Sequence, residues 1–418
     1  MTTAQERSWS NFDPTSIGLP KDFLLTDYTR LKGCSCKIPQ ASLLRLLCAL
    51  NPDRPAGDVG MDCSIVPLRP HLTAAGTEGG RLFQVSTCDF FAPSVDDPYL
   101  QGCIGAANVL SDLYALGVIH CDSLLMILAS STDMEQEEAF TVTLQIMKGF
   151  CDTAMTVGVN VTGGQSIQNP WPLIGGTAMT VCTDGEIIRP EGLVVGDVLV
   201  LTKPLGAQLA VNLHQWRKRP TPLYKQHIEG YMSERDIDDL FHCASSQMAR
   251  LNRNGAILML KYGSHGCTDV TGFGLYGHAS NLALAQQAVT GKEKMTIVVS
   301  TLPIYEGAVH AERLLNNKYK LFQGRAAETS GGLLVALPNE NAAREYIEEL
   351  QLMDPDHPTA NIVGHVAAFD RSVDNDDQVR LVQSAKLIVP VPVSAFVNAP
   401  AHAPAAKAKT HHHRLPHP

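Results

Sequence analysis

Residues 185–196 run through glycine, proline and charge, and on each side of that break the chain alternates strand-like with helical stretches. This is α/β or α+β grammar, because period-2 runs build strands and period-3.6 runs build amphipathic helices. Before the break, strand-like runs at 81–87 and 177–182 accompany helical ones at 100–116, which has small residues on one side, and 134–156. The second of these helices opens with Glu135, Glu137 and Glu138, where the helix dipole favours acids. After the break the pattern predicts strands at 198–202, 295–300 and 331–337 and helices at 233–252 and 341–350. The second half echoes the first, and no short repeat of the solenoid kind runs through either.

The expected organisation has four parts. Residues 1–55 form a polar leading segment with a helix at 42–50 ended by Asn51-Pro52; 56–190 and 191–394 form two α/β domains; and 395–418 form a tail. The tail collapses to Ala, Pro, Lys and His and cannot bury enough apolar surface to fold, so His411, His412, His413 and His417 read as a solvated end rather than a metal site. Over the whole 418 residues, 44% hydrophobic and 18% charged usage excludes wholesale disorder, collagen and disulfide scaffolds. A net charge of −9 argues against a direct nucleic-acid partner, and no apolar run is long enough to span a membrane. The polar start lacks a signal peptide's basic and apolar regions, so a cytoplasmic protein is expected. Its 11 cysteines include no CxxC pair and read as reduced thiols.

Familiar catalytic signatures are missing: there is no P-loop, no HExxH and no GxSxG. One GxGxxG, at Gly272, Gly274 and Gly277, follows a polar stretch rather than a core strand, so it reads as a glycine-rich helix entry. More informative are aspartates set beside small residues at element ends: Asp62, Asp89, Asp112 and Asp269. Asp112 sits in an otherwise apolar helix, where an ionised carboxylate is costly unless a cation or donor meets it. Mg²⁺ takes carboxylate oxygens together with substrate phosphates, so the four would make sense if they converged on a nucleotide; any one alone is more often a cap, turn or surface residue. In Gly33-Cys34-Ser35-Cys36-Lys37 a lysine close to a thiol favours the nucleophilic thiolate and also offsets phosphate charge, although an ordinary polar loop fits as well. The run Val161-Thr162-Gly163-Gly164-Gln165-Ser166 is expected to be a turn whose N–H groups could cradle phosphates.

Taken in order, Gly33-Cys34-Ser35-Cys36-Lys37-Ile38-Pro39-Gln40, Gly60-Met61-Asp62, Thr87-Cys88-Asp89-Phe90-Phe91-Ala92-Pro93, Ala107-Asn108-Val109-Leu110-Ser111-Asp112-Leu113-Tyr114-Ala115, Thr268-Asp269-Val270-Thr271-Gly272-Phe273-Gly274 and Glu328-Thr329-Ser330-Gly331-Gly332-Leu333-Leu334 resemble the selenophosphate synthetase family. The resemblance spans roughly residues 24–390; the aspartate and TSGGLL pieces alone would mark only the wider superfamily of aminoimidazole-ribonucleotide-synthetase-like ATP-binding proteins. It implies a two-domain PurM-like (AIR-synthetase-like) α/β fold whose N-terminal halves pair into a dimeric barrel flanked by C-terminal α+β domains. It further implies ATP and selenide as substrates, Mg²⁺ as cofactor, and monoselenophosphate, AMP and orthophosphate as products. By the same resemblance Cys34 and Lys37 are the catalytic pair, with Lys37 also meeting ATP. Gly60, Met61, Asp62, Asp89 and Asp112 fall on ATP positions, and Asp62, Asp89, Asp112 and Asp269 on metal positions. Gly163, Gly164, Gln165 and Ser166 match a glycine turn that reaches the nucleotide across a homodimer interface, and a selenium-delivery protein is admitted as a further partner. The chain departs from a bacterial member at Arg30, where that member has histidine.

Overall fold

The structure, a computed structural model, describes residues 12–50, 62–68, 81–289, 291–382 and 387–393. Its first half is built on a five-stranded sheet, in the order β1-β2-β5-β3-β4. The strands are β1 (Ser64–Pro67), β2 (Leu82–Phe91), β3 (Ser123–Ser131), β4 (Val161–Asn169) and β5 (Leu173–Thr183). All pairs are antiparallel except β3 with β4. In β2 the side chains alternate, with Phe83, Val85, Thr87 and Phe91 buried and Gln84, Cys88 and Phe90 exposed, the period-2 signature of a sheet covered on one face.

That covered face carries the helices α2 (Pro98–Ala115) and α3 (Gln136–Thr156), which follow the leading helix α1 (Gln40–Leu50). A Cβ at Gly102 would run into the Ile146 carbonyl, and one at Gly149 into the Tyr99 carbonyl, so the small side of α2 is what lets these two helices touch backbone to backbone. Every residue of α2 except Asp112 is buried, because the second half covers its remaining side through α6 (Glu234–Ala249), α7 (Arg253–Lys261) and β7 (Gly266–Asp269).

The second half holds a six-stranded sheet, in the order β12-β8-β11-β6-β10-β7. Its strands are β6 (Val198–Leu201), β7 (Gly266–Asp269), β8 (Met295–Val299), β10 (Leu333–Leu337), β11 (Asn361–Ala368) and β12 (Val379–Leu381); β9 (Leu302–Tyr305) and β13 (Ile388–Val391) pair separately. The helices of this half are α4 (Ala207–Lys218), α5 (Pro222–His227), α6 (Glu234–Ala249), α7 (Arg253–Lys261), α8 (Gly274–Ala285), α9 (Glu306–Leu314) and α10 (Glu340–Met353). The single helix expected over 233–252 stops at Ala249: Arg250 turns extended, and α7 starts afresh after Asn252, whose side chain is drawn into contacts with the first half. The GxGxxG opens α8, where Gly274 has φ +69° and lies against the Ala326 and Gly324 carbonyls, a close approach only glycine permits. Among the described residues the cysteines are free thiols and no helix is long and apolar enough to cross a membrane.

Candidate functional site: a carboxylate cluster between the halves

Four elements deliver the acids to one place. Asp89 lies on β2 in register with the covered face, and α2 packs there, so Asn108 Nδ2 donates to Asp89 Oδ2 at 2.7 Å. One helical turn beyond Asn108, Asp112 accepts a short hydrogen bond from the Thr87 hydroxyl, two residues before Asp89 on the same strand face. Asp269 ends β7 of the second half and accepts from the Ser111 hydroxyl at 2.7 Å. Asp62, just ahead of β1, accepts from the hydroxyl of Thr268 at 3.1 Å. The cluster thus straddles the junction, with three carboxylates from the first half and one from the second.

Electrostatics mark the cluster as short of positive charge. Burial first, then the Asp269 carboxylate, holds Asp62 well above the usual carboxylate range, against the opposing pull of the Thr268 hydroxyl and Lys37. Asp112 is likewise raised by burial and by Asp269, Asp62 and Asp89. Asp269 is raised by burial, with Ser111 and Lys37 pulling the other way. Lys37 is the cation at hand: its Nζ lies 3.6 Å from Asp89 Oδ2 and 3.4 Å from Thr271 Oγ1. Carboxylate oxygens of Asp62 and Asp269 and a ring nitrogen of His278 lie within 4.8 Å of one another. Burial, and secondarily Lys37, push His278 down to about 3, so its ring is neutral, with Nε2 3.1 Å from the Thr271 hydroxyl. Like-charged buried carboxylates are stabilised by a hard cation, and this mostly oxygen donor set suits Mg²⁺ or a close relative.

The Gly33–Cys36 segment is a single 3-10 turn rather than an open loop. Gly33 donates its N–H to the Ala92 carbonyl at 3.0 Å, just past β2, and has φ +52°; a Cβ there would collide with the Thr329 hydroxyl. The thiol of Cys36 donates to the Gly33 carbonyl at 2.9 Å, and behind the turn the Gln40 amide reaches Asn281 of α8 at 2.5 Å. The turn therefore hangs between the end of β2 and the second half, and Lys37 leaves it toward Asp89. Gly60 and Met61 lie outside the described residues, as does the side chain of Cys34.

Gly163, Gly164, Gln165 and Ser166 are placed differently from the expectation. They form part of β4, not a turn, because β3 supplies a parallel partner along the whole run. At Gly164 a Cβ would strike the Met126 backbone, so the strand pairs there only because the residue is glycine. These residues stand on the far edge of the sheet, three strand spacings or about 14 Å from β2. Within one chain they do not join the carboxylates.

Sequence reasoning passed over the residues that hold the acids in place. Asn108 donates to Asp89 and accepts the Ser330 N–H at 3.1 Å; Asn252 donates to both the Ser111 hydroxyl (2.9 Å) and the Gly331 carbonyl (2.8 Å). A signal for Asn108 was available, since it sits one turn from Asp112 on an apolar helix. None marked Asn252 or His278, whose partners are distant in sequence.

The family model "AIR synthase related protein, N-terminal domain" matches residues 62–182, and its C-terminal counterpart matches 194–374. A protein of Leishmania major named selenide, water dikinase is 54% identical over 88% of this chain and 91% of its own length. One of the same name from Trypanosoma brucei brucei is 54% identical over 86% of this chain and 89% of its own. Among solved structures, that titled "AaThiL complexed with AMPPCP and TMP" superposes with a TM-score of 0.56 at 15% identity, over 83% of this chain and 95% of that one, a likeness of fold.

Proposed function

Because the chain belongs to the selenide, water dikinase family, we propose that it is a kinase-type enzyme that converts selenide, water and ATP into monoselenophosphate, AMP and orthophosphate, supplying selenium for selenocysteine. The observation that carries this reading is the meeting of Asp62, Asp89, Asp112 and Asp269 at one junction with Lys37 against Asp89.

Asp62, Asp89, Asp112 and Asp269 would hold Mg²⁺, which when bound neutralises triphosphate charge and stabilises the transferred phosphoryl group. The protein's own part is positional. Thr87, Asn108, Ser111 and Thr268 each donate to one carboxylate and fix the rotamer it presents. Lys37, one-third exposed, keeps enough freedom to follow the γ-phosphoryl and lower its repulsion of an incoming selenide anion. Cys34, three residues earlier, orients the selenide anion beside the γ-phosphoryl, or its thiolate attacks that phosphoryl transiently with ADP as the leaving group, selenide then taking the phosphoryl from sulfur and water cleaving ADP to AMP and orthophosphate. Gly60 and Met61, leading into Asp62, would line the nucleotide.

A homodimer completes the reading. The uncovered face of the first sheet exposes Val66, Phe90, Ile167 and Val181, an apolar surface that a second copy would bury. Pairing there would let the 163–166 edge reach the nucleotide held by the other protomer. Selenide would come from solution or from a delivery protein, and the reading places the enzyme in the cytoplasm.

Anaerobic incubation with ATP and selenide, followed by phosphorus NMR, tests the reaction. Selenophosphate, AMP and orthophosphate in equal amounts, only when selenide is present, are expected. ADP formed on another acceptor would assign a different superfamily kinase, and no turnover would assign a non-catalytic ATP binder.

A further inference from the structure

Apart from the carboxylate cluster, a cavity of about 320 Å³ opens at the junction, where the end of α3 faces the α6–α7 break and the segment after α10. Thr153, Arg250, Arg253, Asn254, Asp354 and His357 contribute to its wall. The Arg250 side chain is nine-tenths buried; one guanidinium nitrogen donates to the Thr202 carbonyl at 2.8 Å, the closest carboxylate oxygen, on Asp354, is 3.5 Å away, and Nε has no hydrogen-bond partner. The Arg253 side chain makes neither a hydrogen bond nor an ion pair among the described residues, and its Nε is buried without a partner. Asp354, the one acid in the wall, already accepts from the Asn254 amide at 2.9 Å. Burial and the nearby Arg250 and Lys203 charges push His357 down to about 3, leaving it neutral beside the Gln247 amide.

Two arginines therefore line a cavity whose one acid pairs with Arg250 alone and is already engaged by Asn254. A largely buried cation without a full partner is costly, and an anion from solution relieves that cost. We propose that this cavity binds a phosphate group, free or carried on a small ester. The planar guanidinium fork matches phosphate oxygens in a bidentate fashion, and two such forks suit a tetrahedral dianion better than a planar, singly charged carboxylate. The volume exceeds that of a bare phosphate and lies in the range of small-ligand pockets, leaving room for an ester's remainder beside Thr153 and Asn254. The inference concerns occupancy of this cavity and stands apart from the reaction proposed above.

Calorimetric titration of the full chain, with Mg²⁺ and AMPPCP saturating the nucleotide site, tests it with inorganic phosphate in one arm and ribose 5-phosphate in the other. Saturable binding of at least one probe is expected, tighter for the free ion or for the ester according to which the cavity takes. That binding should weaken by about tenfold or more in Arg253→Met, the loss of one charge-assisted contact. Equal affinity in a folded Arg253→Met, or saturable binding of neither probe, overturns the proposal. If Arg253→Met does not fold, Asp354→Asn decides: tighter binding upholds the site, and unchanged or weaker binding rejects it.

Discussion

In the proposed reading, Lys37 and the aspartates divide the work between single residues. The four carboxylates lack a matching number of cations: Lys37 ion-pairs with Asp89, and the buried Lys203 reaches Asp269 only as a weaker, more distant charge. Lys37→Ala should lower selenide-dependent AMP formation on the order of 10²-fold or more, with the fold retained, and Cys34→Ser should lose it comparably. Normal ATP cleavage in either variant, checked beside circular dichroism, counts against that residue's role. The cluster also fixes a pH dependence. Asp62, Asp112 and Asp269 are raised in the folded chain, so their contribution to stability is full below the unfolded carboxylate range and is lost as pH rises through the folded values. Mg²⁺ should therefore raise the thermal midpoint more at about pH 7.5, where the metal meets ionised carboxylates, than at about pH 5.5, where it competes with protons; an equal shift at both would contradict the metal assignment. The acids were legible because an aspartate amid small or apolar neighbours asks for a partner. His278 and Asn252 were not, because what they touch is set by tertiary contact: Thr271 for one, Ser111 and Gly331 for the other.

At the scale of elements, the α2–α3 pair is what aims Asp112 and Asn108 at β2. The contact depends on Gly102 and Gly149 facing main-chain carbonyls, so Gly149→Ala should force the helices apart at a cost of about 1–3 kcal/mol and displace Asp112. A lowered thermal midpoint together with weakened Mg²⁺ binding is the expected pair of results; unchanged values of both would mean the crossing does not position the site. Helices 100–116 and 134–156 and the strands beginning near 81 and 198 were readable from periodicity, with ends shifted by a few residues. Two elements were not. Local preference at 163–166 favours a turn, but pairing with β3 makes the glycines strand, and the run 233–252 reads as one helix although Asn252 breaks it for contacts elsewhere. In both cases a long-range partner outweighed the local signal.

For the whole molecule, the two echoing halves meet along α2, and the site lies at their seam because neither half alone supplies all four acids. The uncovered sheet face bears on assembly: the chain should sediment as a dimer, and Phe90→Asp or Ile167→Asp should shift it toward monomer with loss of activity, whereas a fully active monomeric wild type would contradict the shared-site reading. The two-part organisation was visible in the composition break at 185–196, but that Asp269 of the second half completes a cluster from the first could come only from three dimensions. The central claim is that Asp62, Asp89, Asp112 and Asp269 form one metal and triphosphate site. A crystal structure with Mn²⁺ and AMPPCP tests it most directly: anomalous peaks for manganese should fall within coordination distance of these carboxylates and the phosphates, and manganese bound elsewhere, with the four side chains unliganded, would contradict it.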